Sequence, residues 1–258
     1  MFYAKVNARH MSIVTLQKKL SWYPSILPTK AGTRDKRINK NKEREMQFID
    51  RADAGKQLAK QLQDYANKSD VIVIGLPRGG VIPAFEVAQA LNLPLDIVVP
   101  RKLGAPYNPE LAVGAITEDG TIIFNESIMR QLNLSPTDLT PIIEAEKEEA
   151  ARRLSLYRSS RPPLDMNGKT VLLVDDGIAT GATMRAAIAS ARARGAKKII
   201  VAIPVAPADT INLIKQEVDD LICLLTPIQF WGVGGFYNKF TQTTDNEVIE
   251  LMQKAKAP

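Results

Sequence analysis

Residues 171–184 read VLLVDDGIATGATM: an apolar run, two adjacent carboxylates, and then small and hydroxyl residues. The run at 171–174 is apolar on both faces, which is typical of a strand buried within a sheet. An amphipathic helix is predicted after the loop, because apolar side chains recur at helical spacing in Met184, Ala187, Ile188 and Ala191. Gly195 is placed to follow the C-cap of that helix. The stretch therefore predicts a strand, an acid pair, a small-residue loop and a helix.

The loop between this strand and helix has the composition of a phosphate site. A helix N-terminus attracts an anion, Gly181 permits its close approach, and Thr180 and Thr183 add hydroxyl groups. Asp175 and Asp176 would repel the same anion unless they face a sugar diol, a metal ion or both. A ribose 5-phosphate meets both requirements, because its phosphate suits the loop and its 2′ and 3′ hydroxyls suit the acids. Both acids can face the ligand only if the chain turns at Asp176. The alternative is an ordinary strand-to-helix turn with a solvated acid pair.

Residues 174–183, VDDGIATGAT, resemble the phosphoribosyl pyrophosphate motif of type I phosphoribosyltransferases. The resemblance implies an α/β fold: a Rossmann-like, largely parallel sheet with helices on both faces, a β-hairpin lid and a small hood from terminal segments. It implies that Asp175 and Asp176 are the catalytic residues. It also implies that the loop binds the substrate through Ala179, Thr180, Gly181, Ala182 and Thr183. No P-loop lysine and no dinucleotide-binding glycine fingerprint competes with this interpretation.

A second strand and loop of similar design come earlier in the chain. Residues 71–75 read VIVIG and predict a buried strand, and LPRGG follows at 76–80. Arg78 beside Gly79 and Gly80 suits an anion that is approached by backbone and guanidinium together. In the family, the loop at this position holds pyrophosphate, often through a non-proline cis peptide. Taken alone, an arginine on a solvated turn explains the loop equally well.

The third predicted strand, at 95–99, leads into a segment with three prolines and a glycine. We expect a long loop at 100–110, followed by a hairpin that turns at residues 118–120. The family carries its flexible lid at this place. Arg101 and Lys102 match the basic pair that such lids present to pyrophosphate, and a solvated basic turn is the alternative.

Beyond these units the sequence predicts further alternating helices and strands. Helices are expected at 140–157 and 208–217, and strands at 199–204 and 221–225. Arginines near the end of the first helix complement its dipole. Thr244 and Glu247 have capping-box spacing and predict a final helix. This alternation indicates a largely parallel sheet covered on both faces.

An aromatic and glycine-rich segment, FWGVGGFY, occupies residues 230–237. In the family, a hood built from terminal segments covers the active site and contributes contacts to the base. Trp231, Phe236 and Tyr237 therefore have two interpretations: they stack on a heterocycle, or they are ordinary core aromatics, which we favour.

Charge divides the chain into two parts. Residues 1–45 carry a net charge of +8 and residues 46–258 a net charge of −2. We interpret 1–45 as a basic, disordered tail; an organelle-targeting segment and a true start at Met46 are the alternatives. We interpret 46–258 as the phosphoribosyltransferase domain, with a core at about 70–205 and a hood from about 46–68 and 226–258.

Composition restricts the chemistry and the compartment. The only histidine, His10, lies in the tail, so the folded part has no imidazole for a Ser-His-Asp or histidine–metal site. The only cysteine, Cys223, is expected to be a buried inert thiol, and a cytoplasmic location fits a chain without an intramolecular disulfide. No run approaches the roughly 18 apolar residues of a membrane span. The negative charge of residues 46–258 argues against a nucleic-acid partner.

The resemblance implies transfer of the phosphoribosyl group of phosphoribosyl pyrophosphate to a nitrogen nucleophile, expected to be a nucleobase. It implies Mg²⁺ as cofactor, carried mainly by the ligand and at the protein by Asp175 or Asp176, and a homodimer as the family's usual assembly. Members that use 6-oxopurines carry an aspartate where this chain has Ala179, so the general base and the acceptor stay open. A non-catalytic sensor of phosphoribosyl pyrophosphate and a metal-dependent phosphatase or hydrolase are the alternative functions.

Overall fold

The computed structural model describes residues 48–159 and 161–255, and the predicted tail lies outside them. The strands are β1 (Val71–Gly75), β2 (Leu95–Ile97), β3 (Arg101–Ala105), β4 (Asn108–Ile116), β5 (Ile122–Phe124), β6 (Thr170–Val174), β7 (Lys198–Val205) and β8 (Asp220–Leu225). The helices are α1 (Arg51–Gln61), α2 (Val81–Leu91), α3 (Glu126–Gln131), α4 (Thr140–Arg158), α5 (Ala182–Ala193), α6 (Ala208–Ile214) and α7 (Asp245–Lys254).

Within the described residues the main sheet has five strands in the order β2-β1-β6-β7-β8, and every neighbouring pair is parallel. Successive side chains of a strand point to opposite faces. In β6, Leu172 joins a core cluster with α1, α2, α4 and α7, whereas Leu173 joins the opposite cluster with α5 and α6. Helices therefore cover both faces, which explains the uninterrupted apolar strands. The predicted α/β fold with a largely parallel sheet is confirmed.

The predicted long loop at 100–110 is wrong. Strand β3 pairs antiparallel with β4 across Pro106 and Tyr107, and β4 pairs with β5 in the hairpin that the sequence predicted. The pairing of β3 with β4 shifts register on either side of Gly104. A Cβ at Gly104 would lie 2.6 Å from the carbonyl oxygen of Pro109, so only glycine lets the two backbones approach there. The register shift and Gly104 accommodate Pro109 within strand β4, although a proline in the sequence indicates a loop.

The other predicted elements are present with small differences in length. Helix α6 ends at Ile214 rather than 217, because i→i+3 hydrogen bonds tighten the chain that follows, including Glu217 N to Ile214 O at 2.9 Å. Strand β2 ends at Ile97 rather than 99. Gly195 has a positive φ of 80° just beyond α5, and Thr244 and Glu247 form the predicted capping box of α7. No helix in the part of the chain that the structure describes is both long and apolar enough to cross a lipid bilayer.

The first described residue, Phe48, meets the segment at 236–238 beside the sheet. Phe48 N donates to Phe236 O at 2.9 Å, and Asn238 N donates to Phe48 O at 2.8 Å. The Phe48 and Tyr237 rings lie 5.3 Å apart within a small cluster that includes Ala54, Val205 and Leu225. The division of residues 46–258 into a core and a hood stays a prediction.

Candidate active site

The site lies where the connections of the sheet diverge. The chain leaves β1 towards β2 on one side, whereas it leaves β6 towards β7 on the other. In parallel α/β sheets this divergence opens a crevice at the carboxyl ends of the strands. Gly75 and Val174 are paired at those ends, so the loops that begin at Leu76 and Asp175 start side by side.

Two glycines give the loop after β6 its shape. Gly177 has φ 152° and Gly181 has φ 82°, a backbone region that favours glycine. A Cβ at Gly177 would lie 2.6 Å from Val233 Cγ1, so the segment before α7 packs directly against this loop. Thr210 in α6 donates its hydroxyl to Ala179 O at 2.7 Å, which fixes the loop from the other side.

The loop ends at the N-terminus of α5 with no side-chain cap. Gly181 is the N-cap residue and cannot accept a hydrogen bond through a side chain. Ala179 and Thr180 are exposed, whereas Ala182 and Thr183 are half-buried. Uncapped N–H groups beside threonine hydroxyls are chemically suited to a phosphate group, and the phosphate site stays a prediction.

Asp175 and Asp176 lie immediately before this loop and are held differently. Asp175 Oδ1 accepts a hydrogen bond from Asp176 N at 2.8 Å. Asp176 Oδ2 accepts one from Arg51 Nε at 2.6 Å, and its side chain is only 14% exposed. Tyr237 donates its hydroxyl to the carbonyl oxygen of Asp176 at 2.5 Å. Asp176 is thus fixed through both its side chain and its backbone.

The loop after β1 packs against the acid pair. A Cβ at Gly80 would lie 2.5 Å from Asp175 Oδ1, and a Cβ at Gly79 would overlap Asp176 Oδ2. The peptide bond between Pro77 and Arg78 is cis. The structure therefore brings together Gly79, Gly80, Asp175 and Asp176, which are far apart in sequence.

Burial sets the charge state of the acid pair. Burial, and then the neighbouring charge of Asp176, raise the pKa of Asp175 well above its usual value. Burial also raises the pKa of Asp176, although the Arg51 guanidinium opposes that change. Burial and the nearby charge of Asp176 likewise raise the pKa of the Tyr237 hydroxyl. Such an environment favours hydroxyl groups or a cation as partners of the acids, because an added anion would meet buried negative charge.

The predicted cations are each paired with a carboxylate. Arg78 Nη1 lies 3.6 Å from Asp245 Oδ1. Arg101 Nε lies 2.7 Å from Glu146 Oε2 on α4, so this side chain points to the helix. Lys102 Nζ lies 3.4 Å from Glu110 Oε2, a carboxylate that is 93% exposed. Lys102 also lines a cleft of about 270 Å³ together with Thr180, Ala182 and Arg185, so it faces the same cleft as the predicted phosphate loop.

Sequence reasoning missed Arg51, which makes the ion pair with Asp176. A signal was available: Arg51 is the first residue of α1, where the helix dipole disfavours a cation. A cation placed there, and only 8% exposed, requires a partner elsewhere in the fold. The helix itself is capped by Asp50, whose Oδ1 accepts a hydrogen bond from Asp53 N at 2.9 Å, so the partner of Arg51 does not come from the cap.

The aromatic segment divides between the two interpretations. Tyr237 is 6% exposed and packs on Phe48, as a core aromatic does. Phe236 stacks on Phe230 with ring centroids 5.6 Å apart. Trp231 is 89% exposed, so the core interpretation is wrong for this residue. It follows Phe230 in a segment that turns around Gly232, where φ is 123°.

The residues present fit a metal ion that arrives with its ligand. Among the described residues, no group of three or more His, Cys, Asp or Glu side chains is arranged to hold a metal. Mg²⁺ is commonly bound through one or two carboxylates plus the phosphates of a substrate. Asp175 and Asp176 supply that number, and Arg51 engages only one oxygen of the pair.

The fold and the two loops define an α/β protein with a ligand crevice at the switch point of its sheet. The chain belongs to the phosphoribosyl transferase domain family, whose model matches residues 48–239. That match includes both loops at the carboxyl ends of β1 and β6.

Two curated relatives come from Mycobacterium tuberculosis: "Putative phosphoribosyl transferase Rv0571c" of strain H37Rv and "Putative phosphoribosyl transferase MT0597" of strain CDC 1551. Each is 45% identical over 208 residues, covering 81% of this chain and 47% of the relative. The chain therefore spans about half the length of these relatives. Among solved structures, TT1426 from Thermus thermophilus is 36% identical with a TM-score of 0.70, over 81% of this chain and 99% of that one.

Proposed function

We propose that the protein transfers the phosphoribosyl group of phosphoribosyl pyrophosphate to a ring nitrogen of a nucleobase. The bond from ribose C1 to the pyrophosphate oxygen breaks, and pyrophosphate leaves with the electron pair. The nitrogen lone pair forms the new bond to C1 with inversion, and the nitrogen's proton passes to solvent. One observation carries the proposal: Gly79 and Gly80 lie against Asp175 and Asp176, so the two loops form a single site.

Each part of the site has a role in this reaction. The uncapped N-terminus of α5, with Ala179, Thr180, Gly181, Ala182 and Thr183, binds the 5-phosphate. The two carboxylates accept hydrogen bonds from the ribose diol, and Arg78, Gly79 and Gly80 bind the pyrophosphate. Lys102, on the antiparallel sheet, closes over the same cleft. Arg101 leaves its ion pair with Glu146 and binds the pyrophosphate beside Lys102.

In this reaction the protein contributes mainly by stabilising charge and by positioning the donor and the acceptor. Because the leaving group takes electrons from C1, positive charge develops on the ribose ring. In this proposal the buried acid pair stabilises that charge. Asp175 or Asp176 would hold Mg²⁺ at the protein, and the ion would supply positive charge that stabilises the leaving group. The antiparallel sheet that carries Lys102 lines the cleft, and its closure over a bound donor would exclude water, which competes with the acceptor.

The exposed face of Trp231 supports a heterocyclic acceptor. Val233, two residues later, contacts the acid-pair loop at Gly177, so Trp231 extends from a segment that borders the site. An aromatic ring that is exposed beside a site is suited to stacking on a flat base.

Calorimetry with phosphoribosyl pyrophosphate and Mg²⁺, followed by a panel of bases scored for pyrophosphate release, tests the proposal. We expect donor binding and turnover of at least one base. Binding without turnover of any base would favour the sensor of phosphoribosyl pyrophosphate instead. Metal binding and phosphate release without the sugar phosphate would favour the hydrolase.

The acid pair is tested by the neutral variants Asp175→Asn and Asp176→Asn. Each keeps the shape of the side chain and loses the charge that faces the diol. We expect donor affinity to fall by about tenfold or more in each variant. Donor affinity equal to that of the unchanged protein in both variants would refute the assignment of the ribose to these carboxylates.

The cytoplasmic location and the homodimer belong to the same proposal. Cys223 is a free thiol whose pKa is raised by burial, which suits a reducing compartment. Light scattering on the purified chain measures the assembly, and a mass twice that of one chain is expected.

A further inference from the structure

Arg51 occupies an electrostatically unfavourable place. As the first residue of α1 it puts a positive charge at the positive end of the helix dipole. The side chain is also nearly buried, at 8% exposed for the whole residue. Neither helix formation nor solvation accounts for a cation here, so its contacts with the rest of the fold must hold it.

Those contacts use two N–H groups and one face of the guanidinium. Nε donates to Asp176 Oδ2 at 2.6 Å, and Nη1 donates to the carbonyl oxygen of Thr241 at 2.7 Å. The guanidinium carbon lies 3.7 Å from the centroid of the Phe240 ring. A planar group with several fixed donors can make all of these contacts at once, whereas the ammonium of lysine is a single point charge.

This arrangement leaves one oxygen of Asp176 for a ligand. Oδ2 is engaged by Arg51 and covered by the backbone of Gly79. Arg51 donates to Oδ2 alone, so the ribose hydroxyl is assigned to Oδ1. The backbone of the same residue is held by Tyr237, which belongs to the chain segment that also carries Phe240 and Thr241. Residues 237–241 thus hold Asp176 directly through Tyr237 and indirectly through Arg51.

We infer that Arg51 is a positioning residue that orients Asp176 for the ribose diol and couples the acid pair to residues 237–241. The inference rests on the proposed function for the identity of the ligand. It adds a residue outside both loops, and a segment near the C-terminal helix, to the machinery that arranges the donor site.

The test compares Arg51→Lys with a matched control, Arg192→Lys. Arg192 Nη2 also makes a 2.6 Å ion pair, with Asp219, but it lies at the far end of α5. In Arg51→Lys we expect the KM for donor to rise about tenfold while the KM for acceptor is unchanged, because the substitution misplaces a carboxylate that binds only the donor. The control is expected to keep both values. An unchanged donor KM in a folded Arg51→Lys protein would overturn the inference.

A double-mutant cycle separates positioning from general structural support. If Arg51 acts through Asp176, Arg51→Lys has no further effect on donor affinity once Asp176→Asn is present. Effects that multiply would overturn the inference. If an Arg51 variant does not fold, Phe240→Leu provides a second test, because it removes the aromatic ring that packs on the guanidinium. We expect donor affinity to fall severalfold in this variant. An unchanged donor affinity would count against the coupling.

Hydrogen exchange measured without ligand distinguishes a failure of the proposed function from a failure of the coupling through Arg51. In Arg51→Lys we expect faster exchange of the amides of residues 176–178 and 237–241 together, and no such change in Arg192→Lys. If the unchanged protein binds no phosphoribosyl pyrophosphate, the proposed function fails. If exchange in the two segments does not rise together, the coupling through Arg51 fails.

Discussion

Gly80 leaves no space for a side chain. A Cβ there would lie 2.6 Å from Leu76 O and 2.8 Å from Asp175 Cα, and both atoms belong to the backbone. We expect Gly80→Ala to lower the free energy of unfolding by about 1–3 kcal/mol, because the two loops must separate to accept it. Donor affinity should fall by about tenfold or more, since the separation displaces Asp175. Chemical denaturation and calorimetry measure the two effects.

Gly235 provides the control for this substitution, because a Cβ there meets no atom within 4 Å. Gly235→Ala is expected to change the stability by less than about 1 kcal/mol and to leave donor affinity as it is. Equal losses in the two variants would contradict the argument from close approach.

Glu118 gives a residue-scale prediction about pH. Its Oε2 accepts a hydrogen bond from Val99 N at 2.8 Å, and burial raises its pKa above the ordinary 4.5. A carboxyl with a raised pKa in the folded state contributes stability below its unfolded pKa and loses it as the pH rises through the folded pKa. Glu118→Gln should therefore be more stable than the unchanged protein at pH 7 and lose this advantage below about pH 4.5. Thermal denaturation from pH 4 to pH 8 measures the difference, and an advantage that is independent of pH would contradict it.

An ion pair joins helix α4 to strand β2. From the sequence, the arginines at the end of this helix are explained by the helix dipole alone, and the pair is not predicted. Arg158 donates to both oxygens of Asp96, at 2.9 and 3.1 Å, and Asp96 is 2% exposed. Arg158→Met would leave that carboxylate buried without its cation. We expect a loss of about 3–5 kcal/mol in the free energy of unfolding, measured by denaturation in urea.

The control for this element is Arg152 on the same helix. It pairs with Glu149 at 2.7 Å, but its side chain is 57% exposed. Arg152→Met is expected to leave the free energy of unfolding close to that of the unchanged protein, because an exposed ion pair contributes little to stability. Similar costs for the two variants would show that burial does not decide the strength of these pairs.

Sequence patterns predicted the elements whose signals are local. Strands β1 and β6 are apolar runs followed by loops of distinctive composition, so both the strands and the loops were predictable. Strand β3 was not, because Gly104 and Pro109 are local signals for a loop and their pairing depends on two chain segments that meet at a register shift. The contact of Arg51 with Asp176 joins residues 125 positions apart. Its partner could not be predicted from either neighbourhood, although the unfavourable position of Arg51 could have been noticed.

At the scale of the whole molecule, the positive charge and the proposed donor site lie in different parts of the sequence. The residues proposed to bind the donor, or to position those that bind it, lie between 51 and 241, whereas residues 1–45 carry the net charge of +8. Removal of residues 1–45 is therefore expected to leave donor affinity within about twofold of the full chain, by calorimetry. Any nucleic-acid binding that weakens with salt should be lost with the tail. Salt-dependent binding that survives in residues 46–258 would contradict this separation.

The pairing of Gly75 with Val174 has a consequence for synthesis of the chain. These two residues are neighbours in the sheet but roughly a hundred positions apart, so a long loop must close before they meet. A nascent polypeptide on the ribosome can therefore present the complete crevice only after β6 and the loop beyond it have emerged. Because a ligand stabilises only the state that binds it, we expect the proposed sugar phosphate donor to stabilise the finished fold and none of the partly translated forms.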